Sequence, residues 1–324
     1  MADESKWSFP DDMQPRDEEW DFDLDRVSDA VVRVHAAFPP DAYTAETLGV
    51  DRIGSGVVIG ADGLVLTVGY LITEASSIWL TTSSGRVVAG HPLAYDQASG
   101  FGLVMPLGQL GVAPLECGSA ASVGVGERMI MASFGGRPHA CVTRVCARQV
   151  FAGYWEYLLD EAVLTAPAHP QWGGSALVDT SGRLVGIASL LVPDEREGAS
   201  GQCNVSIPID LLAPIRDELV AAGRRLAPAR PWLGIYASDE EGQITIAQVA
   251  PSGPAEKAGV RRGDLLLAVD GRRVHRLEDF YRLVWASGIA GCELLFTLAR
   301  EGSPLTLRIR SGDRSDLLKK PSLH

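Results

Sequence analysis

The feature that most constrains the fold is a succession of short apolar, β-branched runs between positions 27 and 215. Gly, Asp and Ser separate these runs, and all three residue types favour turns. The clearest runs cover residues 57–59, 64–67, 77–81, 86–89, 103–106, 129–132, 141–149 and 184–189. Many short strands at near-regular spacing predict an all-β barrel or sandwich. Residues 209–223, which end in glycine, predict a helix whose regular part begins near Pro214.

Composition and charge argue against nucleic-acid binding and against a membrane protein. A chain of 324 residues with 46% hydrophobic residues predicts a soluble globular protein of about two or three domains. The net charge of −12 lies mostly in the first 25 residues, so generic nucleic-acid binding is not expected, because phosphate contacts need a basic patch. No apolar run reaches ~18 residues, and the N-terminus lacks the pattern of a signal peptide. We therefore expect no membrane span and a cytoplasmic location.

Cysteine and histidine usage predicts neither disulfides nor a metal centre. The cysteines are odd in number and show no paired spacing, which favours a reduced chain; they are Cys117, Cys141, Cys146, Cys203 and Cys292. His139 lies near two of them, but the spacing matches no common zinc pattern. We expect no metal and no cofactor.

Three segments resemble the catalytic segments of trypsin-like serine proteases, and their residue patterns are similar to those of the HtrA/DegP family. They cover residues 54–72, 96–104 and 170–179, and they follow the family's order of base, orienting acid and nucleophile. The resemblance implies a chymotrypsin-like double β-barrel. At the matching positions this chain has Tyr70 for the histidine, Gly100 for the aspartate and Gly173 for the serine.

These three residues lack the chemistry of the triad that the resemblance implies. Glycine at position 173 offers no nucleophile, glycine at position 100 orients nothing, and a phenol of pKa about 10 is a poor base at neutral pH. The sequence therefore predicts a non-catalytic scaffold or adaptor (a pseudoprotease), not an enzyme. The alternative is a serine endopeptidase or other hydrolase with a non-standard nucleophile, such as Ser175 with His169 as its base. A second alternative is a structural subunit of a larger complex.

A second domain resembles the PDZ domain of HtrA proteins. Residues 231–235 match the opening of that domain, and residues 249–271 match its long signature at many fixed positions. The predicted organisation is an acidic N-terminal segment (1–26), a trypsin-like domain (27–223), a linker (224–230), a PDZ domain (231–311) and a polar tail (312–324).

The PDZ resemblance implies a groove for extended C-terminal peptides, which add a strand to a sheet edge while loop N–H groups hold the carboxylate. Trp232, Leu233, Gly234 and Ile235 match the carboxylate loop and the first groove strand. The helix carrying Phe280 and Leu283 would wall the groove. The apolar character of these residues predicts protein C-termini or unfolded segments with an apolar last residue as partners. The alternative is that the PDZ domain contacts only its own barrel.

Four aromatic residues stand among the acidic residues of the N-terminal segment, which is unusual for a purely solvated tail. They are Trp7, Phe9, Trp20 and Phe22. They predict either a cap on the barrel surface or a seam of a homo-oligomer, and HtrA-like proteins form trimers through aromatic residues near this end. A partner-binding peptide is the other possibility.

Overall fold

A computed structural model of the chain describes residues 7–194, 196 and 201–320. The residues divide into two compact units. The first holds the described residues up to Gln149, then Glu161–Arg225 and the last described residues from Lys319. The second holds Val150–Asp160 and Leu226–Leu318.

Two closed six-stranded antiparallel barrels form most of the first unit. The first has the order β1-β2-β3-β6-β5-β4, from the strands β1 (Val31–Ala37), β2 (Asp51–Val58), β3 (Val65–Val68), β4 (Ser77–Thr81), β5 (Val87–Tyr95) and β6 (Phe101–Pro106). The second has the order β10-β11-β12-β9-β8-β7, from the strands β7 (Arg128–Ala132), β8 (Ala140–Gly153), β9 (Tyr157–Ala166), β10 (Ala176–Val178), β11 (Leu184–Pro193) and β12 (Gln202–Pro208). Closure leaves neither barrel with an unpaired edge.

Short helices connect and cap the barrels. They are α1 (Leu24–Asp29), α2 (Ala45–Leu48) and α3 (Arg216–Ala222). Asp23 caps α1 by accepting the backbone N–H groups of Asp25 and Arg26. The helix predicted over 209–223 is divided into a 3₁₀ turn at Ile209–Leu211 and α3, which ends at Gly223 with φ 67°.

The described part of the acidic N-terminal segment packs on the second barrel. Phe9 is buried in the core cluster that contains Met129, Val163 and Leu177, and Trp7 packs against the same cluster. Trp20 is also buried, with the Arg128 guanidinium over its ring. Arginines of the barrel pair with acidic residues of the segment, as in Arg128–Glu19 and Arg137–Asp17. These aromatic residues thus cap barrel surface, one of the predicted alternatives.

The second unit contains a six-stranded antiparallel sheet of order β13-β14-β15-β17-β18, with the short β16 paired to β15. Its strands are β13 (Ile235–Glu240), β14 (Gln243–Val249), β15 (Leu265–Val269), β16 (Arg272–Arg273), β17 (Glu293–Arg300) and β18 (Ser303–Arg310). Its helices are α4 (Pro254–Lys257) and α5 (Leu277–Ala286). Phe280, Val284 and Tyr281 of α5 are buried in the core of this unit. Two barrels and this sheet confirm the predicted mainly β fold.

Residues 150–160 group with the second unit, whereas the sequence predicted an uninterrupted trypsin-like domain over 27–223. Leu158 is buried in the core cluster of the second unit, beside residues such as Leu233 and Ile235. Val150 and Ala152 pack against that same cluster. Burial of these apolar side chains is the physical reason that the segment groups with the PDZ-like residues. Among the described helices, none is long and apolar enough to cross a membrane.

Candidate functional site

The three positions that match the catalytic triad come together in the first unit. Tyr70 lies in a 3₁₀ turn, Gly69–Leu71, directly after β3. A Cβ added at Gly173 would lie 3.0 Å from Tyr70 Oη. Gly100 accepts the backbone N–H of Gly69 at 2.7 Å, and its φ of 85° favours glycine. The tertiary structure therefore gathers residues that lie more than a hundred positions apart in the sequence.

The Tyr70 hydroxyl acts as a hydrogen-bond donor. Tyr70 Oη donates to the carbonyl oxygen of Ser189 at 2.9 Å. Burial raises the pKa of Tyr70 far above its ordinary value, while a hydrogen bond with Trp172 opposes that rise. The phenol thus remains neutral at physiological pH and cannot take up a proton as a histidine would.

A buried arginine fixes the turn that carries Tyr70. Arg52 Nη1 donates to the Tyr70 carbonyl oxygen at 2.6 Å, and Arg52 Nη2 donates to Thr44 Oγ1 at 2.8 Å. The guanidinium carbon lies 3.7 Å from the centroid of the Phe38 ring, within the range of a cation–π contact. Burial lowers the pKa of Arg52 to about 10, and the nearby Glu74 carboxylate opposes that effect. Arg52 remains charged near neutral pH, so its bonds stay charge-assisted.

A cleft of about 290 Å³ opens beside these positions. Its walls come from both barrels and include Ile53, Tyr70, Leu71, Phe134 and Trp172. The volume approaches that of a small ligand pocket, and its walls are mainly apolar with a few polar groups. The cleft is therefore the candidate position for an extended substrate segment.

The alternative nucleophile and base are both buried and bonded to backbone. Ser175 Oγ donates to the Gln171 carbonyl oxygen at 2.6 Å and lies 3.5 Å from Ser55 Oγ. His169 Nε2 lies 2.9 Å from the His139 carbonyl oxygen, and its Nδ1 accepts the backbone N–H of Gln171 at 3.0 Å. This network assigns the proton to Nε2. Burial lowers the pKa of His169 to about 4, so the ring is neutral.

A carboxylate occupies the predicted carboxylate loop of the second unit. Glu156 Oε1 accepts the backbone N–H groups of Gly234 at 2.7 Å and Ile235 at 2.9 Å, and Oε2 accepts that of Leu233 at 3.0 Å. Burial raises the pKa of Glu156 to about 7, although the three N–H groups favour its charged form. Gly234 has φ 76°, and an added Cβ would lie 2.9 Å from Ala250 Cβ, so the loop requires glycine.

The other predicted groove residues have different surroundings. Trp232 is buried and exchanges backbone hydrogen bonds with Gly312. Phe280 is fully buried, with its ring edge-on to Phe296, so it belongs to the core and does not line an open wall. Leu283 is partly buried against the same core cluster.

Sequence reasoning missed Glu156 and Tyr281. Tyr281 Oη donates to the Gly153 carbonyl oxygen at 2.8 Å and accepts the backbone N–H of Glu156 at 3.3 Å. The available signal was the aromatic run of residues 153–157 between two strand-forming stretches. Among the residues described, no group of three or more His, Cys, Asp or Glu side chains is placed to hold a metal ion. The five cysteines are free thiols.

Comparison with known proteins identifies the two domains. A family model for a trypsin-like peptidase domain matches residues 54–187, and a model for a PDZ domain matches residues 231–310. The chain is 28% identical over 271 residues to Protease Do-like 1, chloroplastic, of Arabidopsis thaliana, covering 75% of this chain and 60% of that relative. It is 24% identical over 275 residues to serine endoprotease DegS of Haemophilus influenzae, covering 82% and 78%.

The chain is HtrA/DegP-like. Its trypsin-like domain precedes its PDZ domain, in the order that the sequence predicted. The fold also matches a solved structure of the HtrA-type protease AlgW with decapeptide, at a TM-score of 0.54 and 19% identity, covering 92% of this chain and 98% of that one. The chain spans only 60% of the Arabidopsis relative and 56% of a DegP-like relative from Pseudomonas fulva.

The expectation of a non-catalytic, pseudoprotease scaffold is contradicted by these relatives. Protease Do-like 1, DegS and the serine protease PepD of Mycobacterium tuberculosis are all named as proteases, and they point to an enzyme. The prediction that this protein lacks activity, which was made from three positions, is therefore wrong. The alternative of an HtrA-type serine endopeptidase, or a hydrolase with a non-standard nucleophile, fits the relatives better.

Proposed function

We propose that this HtrA/DegP-like chain is an endopeptidase that binds an extended polypeptide in the cleft of its trypsin-like domain. The observation that supports this most directly is the cleft itself, because residues of the first and third protease-like segments line it. Its relatives carry the name of serine endoprotease, which supports the same reaction class. Peptide-bond hydrolysis is thus the activity to test first.

The nucleophile in this proposal is a group other than a side chain at position 173, because glycine has none. Ser175 follows two residues later, and its hydroxyl lies 3.5 Å from that of Ser55. In the ground state the Ser175 proton is held by the Gln171 carbonyl oxygen. Attack by this hydroxyl would transfer its proton to Nδ1 of His169, the base predicted together with it from the sequence. Substrate binding would first have to move Gln171, because its carbonyl oxygen holds the Ser175 proton and its N–H occupies that ring nitrogen.

Casein turnover tests the proposed activity. We expect release of peptides from fluorescent casein by the wild-type protein and a loss of at least a hundredfold in Ser175→Ala. Ser122→Ala is the matched control, because Ser122 is exposed and its hydroxyl donates to the carbonyl oxygen of the nearby Ser119. Equal turnover by Ser175→Ala would eliminate this nucleophile, and no turnover by the wild-type protein over a protein-free blank would refute the proposal.

We also propose that the PDZ domain binds protein C-termini with an apolar last residue. The three N–H groups of the carboxylate loop already converge on a carboxylate, as a C-terminal ligand would require. Solved structures of AlgW carry a decapeptide or a tripeptide, which supports peptide binding by a similar fold. A homotrimer remains part of this proposal, and light scattering on the purified chain measures it.

A further inference from the structure

Residues 153–157 lie in the PDZ groove in the manner of a bound peptide. The backbone N–H of Ala237, on the groove strand β13, donates to the Tyr154 carbonyl oxygen at 2.9 Å. Two residues further along, the carboxylate of Glu156 receives the N–H groups of the carboxylate loop. A strand-type backbone bond followed by a captured carboxylate is the contact pattern of a peptide added to a sheet edge.

Side-chain contacts hold residues 153–160 to the rest of the second unit. Tyr281 of α5 bridges it by donating to the Gly153 carbonyl oxygen and accepting the Glu156 N–H. Arg282 on the same helix pairs with Asp160 at 2.6 Å. Leu158 is buried in the core of the unit. The contacts thus come from β13, the carboxylate loop and α5, the three elements that would surround an external ligand.

We propose that residues 153–157 are an internal ligand of the PDZ groove, and that an external C-terminal peptide binds by displacing them. In the exchange, the α-carboxylate of the peptide takes the place of the Glu156 carboxylate on the same N–H groups. This inference rests on the proposed binding of C-termini by the PDZ domain. It also proposes how that site is regulated, because the free energy needed to displace the internal ligand lowers the affinity for an external peptide.

The internal ligand has features that make exchange feasible. Its carboxylate is buried, and removing a carboxylate from water is unfavourable, so the hydrogen bonds are offset by desolvation. Glu156 also adopts φ 57°, a left-handed conformation that costs free energy in a residue other than glycine. A tethered ligand competes with an effective concentration on the order of millimolar. Only external peptides with a carboxylate and good side-chain contacts should therefore displace it.

Peptide binding to the full chain tests this inference. The probe is a fluorescein-labelled octapeptide ending in Ala-Val-Leu-Val with a free carboxylate, measured by fluorescence polarisation. We expect Glu156→Ala to bind it at least tenfold more tightly than the wild-type protein, with Glu156→Gln between them. Glu301→Ala is the matched control, because Glu301 is an exposed glutamate with φ 49° in a turn of the same unit. The amidated octapeptide should bind weakly to all variants.

Hydrogen exchange on the wild-type protein provides a second measurement that needs no variant. Saturating octapeptide should increase the exchange rate at the amides of residues 153–157. The exchange rate at the Leu233–Ile235 amides should stay low. Binding without this increase, or equal affinities for wild type and Glu156→Ala, would overturn the internal-ligand inference while peptide binding by the groove still held. Absence of binding to every variant would refute the proposed peptide binding as well.

Discussion

Replacement of Glu74 tests how the loops around Tyr70 are held. Glu74 is 5% exposed, and its carboxylate accepts four hydrogen bonds. Oε1 accepts the backbone N–H groups of Tyr43 at 2.9 Å and Lys319 at 3.0 Å. Oε2 accepts Thr44 N at 2.8 Å and Thr44 Oγ1 at 2.7 Å. The same Thr44 hydroxyl receives Arg52, which in turn holds the Tyr70 carbonyl oxygen, so Glu74 supports the whole network.

The expected loss in the free energy of unfolding follows from these hydrogen bonds. A hydrogen bond to a charged group contributes about 1.5–3 kcal/mol, and water replaces part of that where the freed groups reach solvent. A buried donor left without its acceptor costs about 1–3 kcal/mol, and Glu74→Ala leaves several such donors. We therefore expect Glu74→Ala to lower the free energy of unfolding by about 4 kcal/mol. In a domain of roughly 200 residues this lowers Tm by about 10 °C.

Calorimetry and urea unfolding of the full chain measure this effect. Glu46→Ala is the matched control, because Glu46 is an exposed glutamate on α2, and it should change Tm by about 1 °C or less. Glu74→Gln keeps one acceptor oxygen and should lie between the two. A change below about 1 kcal/mol in Glu74→Ala would refute the argument that this carboxylate organises the loops.

Three further changes test other parts of the structure. Gly174→Ala should prevent correct folding of the first unit, because Gly174 has φ 82° and an added Cβ would overlap the Ser55 carbonyl oxygen; soluble yield and near-ultraviolet circular dichroism measure this. The pKa of His169 is about 4 when folded and about 6.5 when unfolded, so its contribution to stability should fall by roughly 3 kcal/mol as pH drops between these values. Glu156, with a pKa of about 7 when folded, contributes the opposite slope, so urea titrations at several pH values should compare the wild-type protein with His169→Asn, and their difference in stability should show the His169 slope. Asp264→Asn should destabilise the second unit by about 2–3 kcal/mol, since Asp264 is buried and Arg300 binds both its oxygens at 2.7 and 2.8 Å; a thermal shift under 1 °C would contradict this.

The candidate site residues show which predictions depend on neighbouring residues in the sequence and which depend on contacts between distant residues. Leu233, Gly234 and Ile235 were assigned to a carboxylate loop from a contiguous motif, and their N–H groups do converge on a carboxylate. Phe280 was assigned to a groove wall from the same resemblance, but helix periodicity alone does not say which apolar side chains reach the core. The prediction of a protein without activity, made from three positions, is contradicted by the named relatives.

The sequence by itself determined the architecture. Short β-branched runs broken by glycine and aspartate form strands and turns through local preferences, and these runs predicted an all-β barrel or sandwich. The resemblance of contiguous motifs to HtrA segments implied the double barrel and the PDZ domain. Only the tertiary structure decided what fills the carboxylate loop, because Glu156 and Leu233 are 77 residues apart. The tertiary structure also decided between the alternatives for Phe9, an aromatic residue in an acidic segment, because Phe9 packs in a core cluster of the second barrel. Pairings of this kind depend on which surfaces meet after folding, and no local pattern encodes that choice.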